Sequence, residues 1–268
     1  MCLNKEVFMR EWIKDIGAKA LRFFIYIGGT FNLMVTTVFQ VFVLPFRRKE
    51  WIIQMHKIGV MSFPIVSMVA LFTGMVLALQ SAYQLTKMNA QMYISSLVAL
   101  SMLRELGPVL TALVIAGRVG AGITAELGTM KVSEQIDALR TLAANPVKYL
   151  VVPRFLALCI MLPILTVYAD FIGIIGGYLI GVYKLLIGAT IYWKMTFDTL
   201  AFKDLFTGLF KSFIFAVIIC VISCYEGFIT EGGAEGVGKA TTRSVVISFI
   251  LIIAADCLFT ALFYFIFP

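Results

Sequence analysis

Long uncharged stretches dominate the pattern of apolar and polar positions along this chain. Residues 58–86 carry no charged side chain, and residues 91–117, 155–183, 205–228 and 244–267 are apolar with few interruptions. A helix needs about 20 apolar residues to cross a bilayer, because lipid offers the backbone no hydrogen-bond partners. These runs are too long and too uniformly apolar for the strands of a membrane barrel. The pattern therefore predicts an all-α integral membrane protein with five transmembrane helices.

Residues 23–46 are also uncharged, but the N-terminal region around them has the pattern of an amphipathic helix. One face collects the apolar residues Trp12, Ile13, Ile16, Ala20, Phe23, Phe24 and Ile27, and the opposite face carries Lys14, Asp15, Lys19 and Arg22. Basic clusters lie on both sides of the stretch, so a crossing would place one of them outside, against the positive-inside rule. We expect a helix that is embedded in the membrane interface without crossing. A crossing helix is the alternative.

The predicted organisation is thus one domain over residues 1–268, with an interfacial N-terminal region (1–57) and a five-span core (58–268). Basic residues set its orientation. The loop between spans two and three carries Arg118, Lys131, Arg140, Lys148 and Arg154, whereas the outside segments hold Lys87, Lys184, Lys194 and Lys203. Because cytoplasmic loops carry the excess of basic residues, we expect a cytoplasmic N-terminus and a C-terminus on the outside.

Composition agrees with this class and excludes others. Hydrophobic residues make up 61% of the chain and charged residues 14%, against about 25% charged residues in soluble domains. The net charge of +7 comes without a basic stripe interleaved with aromatic residues, so nucleic acid is not an expected partner. One His and five Cys without a C-x-x-C spacing give no metal site or disulfide framework. We expect neither a metal nor a cofactor on this chain.

Two glycine-rich segments imitate nucleotide-binding motifs. Residues 233–240 have the glycines and lysine of a P-loop, but Ala240 replaces the hydroxyl residue and no buried strand precedes them. A flexible cytoplasmic loop is the favoured interpretation. Residues 120–125 resemble a dinucleotide fingerprint, yet their small residues recur every four positions, which favours close helix packing. The same packing is predicted for the glycines of span three, at positions 173, 177 and 181.

A short amphipathic helix is predicted between spans two and three. Ser133 is its expected N-cap, and Asn145-Pro146 is its expected end. Its charged positions are Glu134, Asp137 and Arg140, and its apolar edge is Ile136, Leu139 and Ala143. Such a helix either packs on the membrane surface or docks a cytoplasmic partner, as coupling helices do in ABC transporters. The pattern alone does not separate these two roles.

Five charged residues interrupt the apolar spans: Arg104, Glu105, Asp170, Lys211 and Asp256. Each costs about 2.5–3.5 kcal/mol on insertion scales, so such groups pair with one another or face a cavity. Glu105 and Lys211 are a plausible pair, because neither lies toward the cytoplasmic end of its span. A structural salt bridge and a polar patch in a transport cavity both remain open.

Several separate motifs resemble the MlaE permease family, in order and spacing, from about residue 55 to the end of the chain. They are Gly74-Met75-Val76-Leu77, Gln80, Leu103-Arg104-Glu105-Leu106-Gly107-Pro108, Gly117-Arg118-Val119-Gly120-Ala121, Glu126-Leu127-Gly128-Thr129-Met130, Glu134-Gln135, Asn145-Pro146, Pro153-Arg154-Phe155, Lys211-Ser212 and Ala240-Thr241-Thr242-Arg243. The N-terminal stretch is less specific.

This resemblance implies a homodimeric ABC permease without its own ATPase, in the inner membrane of a bacterium, with its C-terminus in the periplasm. Separate cytoplasmic subunits would bind and hydrolyse ATP, an MCE-domain protein would continue the lipid path outside, and a small STAS-type protein would be an accessory. The implied substrate is phospholipid or a related lipid. The expected lipid cavity uses Arg104, Glu105, Lys211, Asp256, Arg243 and Leu77. The expected coupling helix uses Glu134, Ile136, Asp137, Leu139 and Arg140.

Two rival classes share some of these features. A secondary transporter or channel also places charges inside its spans, but it needs no coupling helix and is favoured by inverted repeats, which the sequence does not show. A membrane-embedded lipid-modifying enzyme needs converging catalytic groups at the membrane surface. His56 is the one histidine available, and it stands alone beside the interfacial region.

Overall fold

The computed structural model describes residues 3–42 and 48–266, with side chains for residues 17–42 and 48–265, and its regular structure over these ranges is helical. The helices are α1 (Leu3–Val41), α2 (Arg48–Ile58), α3 (Phe63–Leu85), α4 (Gln91–Val132), α5 (Gln135–Thr141), α6 (Val147–Tyr183), α7 (Ala189–Thr199), α8 (Phe202–Phe228) and α9 (Gly233–Ile266). The prediction of an all-α membrane protein is confirmed, because long apolar helices make up the chain.

The long helices extend beyond the apolar runs that predict them. Arg118 and Lys131 lie on α4, and Lys239 lies on α9, whereas the sequence analysis places all three in loops. The glycine-rich segment 233–240 is likewise helical, so its interpretation as a flexible loop is wrong. Hydropathy marks the part of a helix that lies in hydrocarbon, and a helix continues past that boundary when its charged end has partners or water.

The N-terminal region holds a sixth stretch, Gly17–Val41, that is long and apolar enough to cross a membrane. Its contacts lie at one end of the bundle. The Tyr26 and Tyr225 rings pack edge to face with centroids 5.1 Å apart, and a groove bordered by Gly29 and Thr36 reaches Phe228. A non-crossing helix stays a prediction. Residues 43–47 lie outside the described part, and so do the side chains of Trp12, Ile13 and Ile16 on the predicted apolar face and of Lys14 and Asp15 on the opposite face.

The core of the bundle forms around α6, which packs against α3, α4 and α8. Leu158 and Leu162 of α6 are fully buried together with Phe215 of α8. Glycines bring α3 and α6 into close contact, since a Cβ at Gly74 would collide with the backbone oxygen of Gly173. The predicted packing role of Gly173 is therefore confirmed.

Helix α7 was not predicted from the sequence. It packs against α4 and α6 at the end where α3 finishes and α8 begins, and its Tyr192 is fully buried. Gly177 and Gly181 leave room for this ring, because a Cβ at either position would lie 2.8 Å from it. Lys194 and Asp198 break the apolar run, so hydropathy gives no signal for α7. The helix closes one end of the bundle next to the charged residues described below.

Candidate functional site

A wide turn in α4 places two of the intramembrane charges. Met102–Leu106 forms a π-helical turn, which accommodates one more residue than an α-helical turn and is common at functional sites. The turn carries Arg104 and Glu105 toward α8. Helix α8 approaches closely here, because a Cβ at Gly208 would collide with the backbone oxygen of Leu103.

Lys211 of α8 is the centre of the charged cluster, and its side chain is only 2% exposed. Its Nζ donates hydrogen bonds to Glu105 Oε2 at 2.8 Å, to the backbone oxygen of Arg104 at 3.1 Å and to Thr260 Oγ1 at 2.7 Å. Asp256 Oδ1 lies 2.9 Å from the same nitrogen and is its second ion-pair partner. An ammonium group has three donors, and the other three acceptors use them. The predicted pairing of Glu105 with Lys211 is confirmed.

A second ion pair lies beside this cluster. Arg104 Nε donates to Asp204 Oδ1 at 2.6 Å, and the Asp204 side chain is 3% exposed while that of Arg104 is 48% exposed. Asp204 Oδ2 also accepts the backbone N–H of Ala201 at 3.0 Å, one of the free donors at the start of α8. The Asp204 carboxylate thus holds the Arg104 side chain in place and also caps the start of α8.

These groups line a cavity of about 130 Å³. The lining residues are Arg104, Glu105, Lys203, Asp204, Thr207, Lys211, Thr260, Phe263 and Tyr264. Three cations and two carboxylates face the space, and two aromatic rings complete its wall. Pockets with apolar walls and a few charged groups suit amphipathic ligands. The arrangement suits a charged headgroup whose apolar part lies along the helices.

The structure separates some predicted site residues from this cavity. Asp256 contacts Lys211 from outside the lining, and Leu77 of α3 packs in a different part of the core with Val98. Arg243 lies toward the opposite end of the bundle, paired with the fully buried Glu226. Asp170 is buried against Gly107, and its Oδ1 has no hydrogen-bond partner among the described residues.

The sequence interpretation missed Asp204, Thr207 and Thr260 as cavity residues. Asp204 stands in the first turn of α8, where acidic residues are favoured, and this position was the available signal. Thr260 follows Asp256 by four residues, so it shares a helix face with that carboxylate. Among the described residues, no group of three or more His, Cys, Asp and Glu side chains is placed to hold a metal ion.

Helix α5 lies at the opposite end of the bundle and is confirmed as a short helix between the second and third predicted spans. The prediction that Ser133 caps it is wrong, because the Ser133 hydroxyl donates to the Thr129 backbone oxygen at 2.7 Å. Asn145 does not end it either; its Oδ1 accepts the Val147 N–H at 3.0 Å, at the start of α6. Ser133 thus bonds to the end of α4, and Asn145 bonds to the start of α6.

Two residues of the predicted apolar edge of α5, Ile136 and Leu139, face the chain's own core. Ile136 is 1% exposed and Leu139 packs against the same core, whereas Ala143 is exposed. Docking of a partner on this helix stays a prediction. The exposed surface instead presents Arg140 and Leu142, the latter 77% exposed.

Ion pairs hold α5 in place. Lys131 Nζ donates to Asp137 Oδ2 at 2.8 Å, and this hydrogen bond holds the pKa of Asp137 below its ordinary value. Arg140 Nη1 approaches the other carboxylate oxygen at 3.2 Å. The Asp137 carboxylate is therefore charged at neutral pH, and its pairs are lost only as the pH falls through the lowered pKa.

This chain is similar to known proteins over most of its length. The family model described as permease MlaE matches residues 51–262. A probable ABC transporter permease protein of Rickettsia felis is 45% identical over 93% of this chain and 96% of its own length. The intermembrane phospholipid transport system permease protein MlaE of Haemophilus influenzae is 39% identical over 79% of this chain and 81% of its own length. TRIGALACTOSYLDIACYLGLYCEROL 1 of Arabidopsis thaliana, a chloroplastic protein, is 38% identical over 79% of this chain and 60% of its own length.

Proposed function

Because the chain belongs to the MlaE permease family, we propose that it is the membrane-spanning subunit of an ABC transporter that moves phospholipids between the inner membrane and the outer envelope. The observation that carries this proposal is the buried Lys211 cluster on the wall of a cavity inside an apolar bundle. Charges are expensive at this depth, and they are kept where a polar group must be received or passed on. A phospholipid supplies both the charged headgroup and the apolar chains that this wall suits.

The energy source in this proposal is a separate ATPase that docks on the α5 end of the bundle. Exposed Arg140 and Leu142 are the contact residues that the structure favours, in place of Ile136. Ile136 has a supporting role, because its burial ties α5 to the core formed by α4, α6 and α8. Through this attachment, movement of α5 would reach the transmembrane helices.

The orientation follows from the same assignment. The α5 end is cytoplasmic, and it carries Lys131, Arg140, Lys148, Arg154 and Lys239. The charged cavity then lies toward the outside, where an MCE-domain protein would receive lipid. This orientation agrees with the positive-inside rule. A second copy of the chain and the MCE protein rest on family membership, and α1 is assigned to the cytoplasmic interface because its contacts lie at the α5 end.

Reconstitution tests the proposed function. The permease is placed in donor vesicles with its ATPase, the MCE protein connects them to acceptor vesicles, and labelled phospholipid is followed between the two. We expect transfer that requires ATP, and no transfer when the ATPase carries an inactivating substitution. Movement that follows an ion gradient and ignores ATP would instead identify a secondary transporter, and chemical change of the lipid would identify an enzyme.

Docking is tested by replacing Leu142 with aspartate. A charge in an apolar contact is costly, so we expect ATPase capture to fall by about tenfold or more while the permease stays folded. Leu186→Asp is the matched control, because Leu186 is 86% exposed at the opposite end of the bundle. Ile136→Asp should instead lower the amount of folded protein, since Ile136 is buried. Full ATPase capture by Leu142→Asp would contradict docking at this surface.

A further inference from the structure

A second wide turn in α4 points to a second binding site. Ala116–Gly120 is π-helical like Met102–Leu106, and each turn presents one arginine, Arg118 and Arg104 respectively. At about 1.5 Å of rise per residue, the separation of 14 positions between the two arginines corresponds to about 21 Å along the helix axis. The first arginine lines the outer cavity, and the second lies toward the α5 end.

Arg118 borders a cavity of about 320 Å³ between α2 and α4. The polar and small residues of its wall are Gln54, Lys57, Arg118, Gly122 and Glu126. The cavity is larger than the outer one and has no assigned role in the proposed transport.

A buried serine positions the Arg118 side chain. Arg118 Nη1 donates to Ser62 Oγ at 2.6 Å, and the Ser62 hydroxyl in turn donates to the Ile58 backbone oxygen at 2.6 Å. A guanidinium has five N–H donors, and this is the one hydrogen bond of Arg118 among the described residues. Donors therefore remain for a ligand in the cavity.

The charge of this cavity is positive. Within the described ranges, neither Arg118 nor Lys57 forms an ion pair. The carboxylate of Glu126 lies on the same wall, but Arg154 holds it at 3.0 Å with a guanidinium that is only 5% exposed. Two cations thus face the space, and its one carboxylate is already neutralised. An anion is the expected ligand.

The level of the cavity in the bundle indicates which anion is available. Ser62 immediately precedes α3, whose residues 63–85 carry no charge and are long enough to cross the hydrocarbon. Arg118, Lys57 and Ser62 therefore lie where hydrocarbon meets headgroups. At this level the abundant anion is the phosphate of a lipid.

We propose that this cavity binds the phosphate of a phospholipid headgroup in the leaflet on the α5 side, with Arg118 and Lys57 as its ligands and Ser62 as the positioning residue. The role of the site within transport rests on the proposed function, which makes this leaflet the cytoplasmic one. The binding itself does not depend on ATP. The chain then has a headgroup site at each of the two wide turns of α4.

The test measures binding by native mass spectrometry of the purified full-length permease in detergent, without ATP. The probes are dihexanoylphosphatidylglycerol, dihexanoylglycerol, which has the same chains without phosphate, and inorganic phosphate. Arg118→Gln and Lys57→Gln are expected to weaken phosphatidylglycerol binding by about tenfold each, and Ser62→Ala by less. Lys49→Gln is the matched control, because Lys49 is an exposed lysine of α2 outside the cavity.

Arg118→Lys keeps the charge and should retain more affinity than Arg118→Gln, which separates ligand binding from loss of fold. Equal binding of dihexanoylglycerol and phosphatidylglycerol, or unchanged affinity in the folded Arg118→Gln variant, would overturn the proposal. Displacement of the lipid by equimolar inorganic phosphate would also overturn it, by assigning the cavity to free phosphate. Because no ATP is present, failure here is distinguishable from failure of the vesicle transfer assay.

Discussion

Replacing Lys211 with methionine is expected to abolish lipid transfer and to destabilise the folded chain by about 3–5 kcal/mol, because one partner of a buried ion pair is removed. Glu105 and Asp256, which both contact Lys211 Nζ, would then be left without their shared cation. Lys194→Met is the control, since Lys194 is exposed on α7. Thermal unfolding in detergent and ATP-dependent transfer between vesicles measure the two effects.

Exchanging the charges refines this expectation. Glu105→Lys combined with Lys211→Glu restores the ion pair but brings the new Glu side chain beside Asp256, so we expect only partial recovery of transfer. Adding Asp256→Asn removes that repulsion and should improve recovery. Full recovery by the double variant would contradict the 2.9 Å contact between Lys211 and Asp256.

Gly208→Val is expected to cost about 3 kcal/mol of stability and to reduce transfer strongly, because overpacking forces a backbone shift. The added Cβ would meet the Leu103 backbone oxygen, which pushes α8 away from the wide turn that carries Glu105. Lys211 lies one helical turn further along α8, so its hydrogen bonds would lengthen. Unfolding temperature and vesicle transfer are the measurements.

Gly238→Val is the matched control for this variant. Gly238 lies within α9, and no atom comes within 4 Å of a Cβ built on it. Its substitution should leave both stability and transfer near the values of the parent chain. If the two valine variants were equally stable, the close approach of α8 to α4 would not constrain the site.

The sequence predicts the membrane class and the ion pair because both follow from strong local rules. A long uncharged run in lipid folds as a transmembrane helix, because the helix satisfies its own backbone hydrogen bonds. Charged side chains inside such a run need partners. Glu105 and Lys211 satisfy the second rule across 106 positions of the chain. The family motifs also cover the wide turn that presents Arg104 and Glu105.

Features that depend on tertiary contacts were harder to predict from the sequence. Helix α7 is formed around the buried ring of Tyr192, and the room for that ring comes from glycines of another helix. Ile136 looks like an exposed apolar edge until the core of α4, α6 and α8 is assembled around it. Ser133 and Asn145 have the chemistry of caps for α5, yet nearer backbone groups bind them. In each case the deciding partner is unknown before the helices are packed.

The three N–H donors of Lys211 are all used within the protein, so the cations of the outer cavity have different roles. Lys211 acts as an internal counter-ion that neutralises the acidic side chains of two helices, and it has no proton left to offer an arriving headgroup. The half-exposed Arg104, which keeps N–H donors beyond its pair with Asp204, and the exposed Lys203 are the groups that can discriminate between lipids. Substitutions at Arg104 and Lys203 should therefore change the preference for one lipid headgroup over another. Substitution of Lys211 should destabilise the fold whichever lipid is transported.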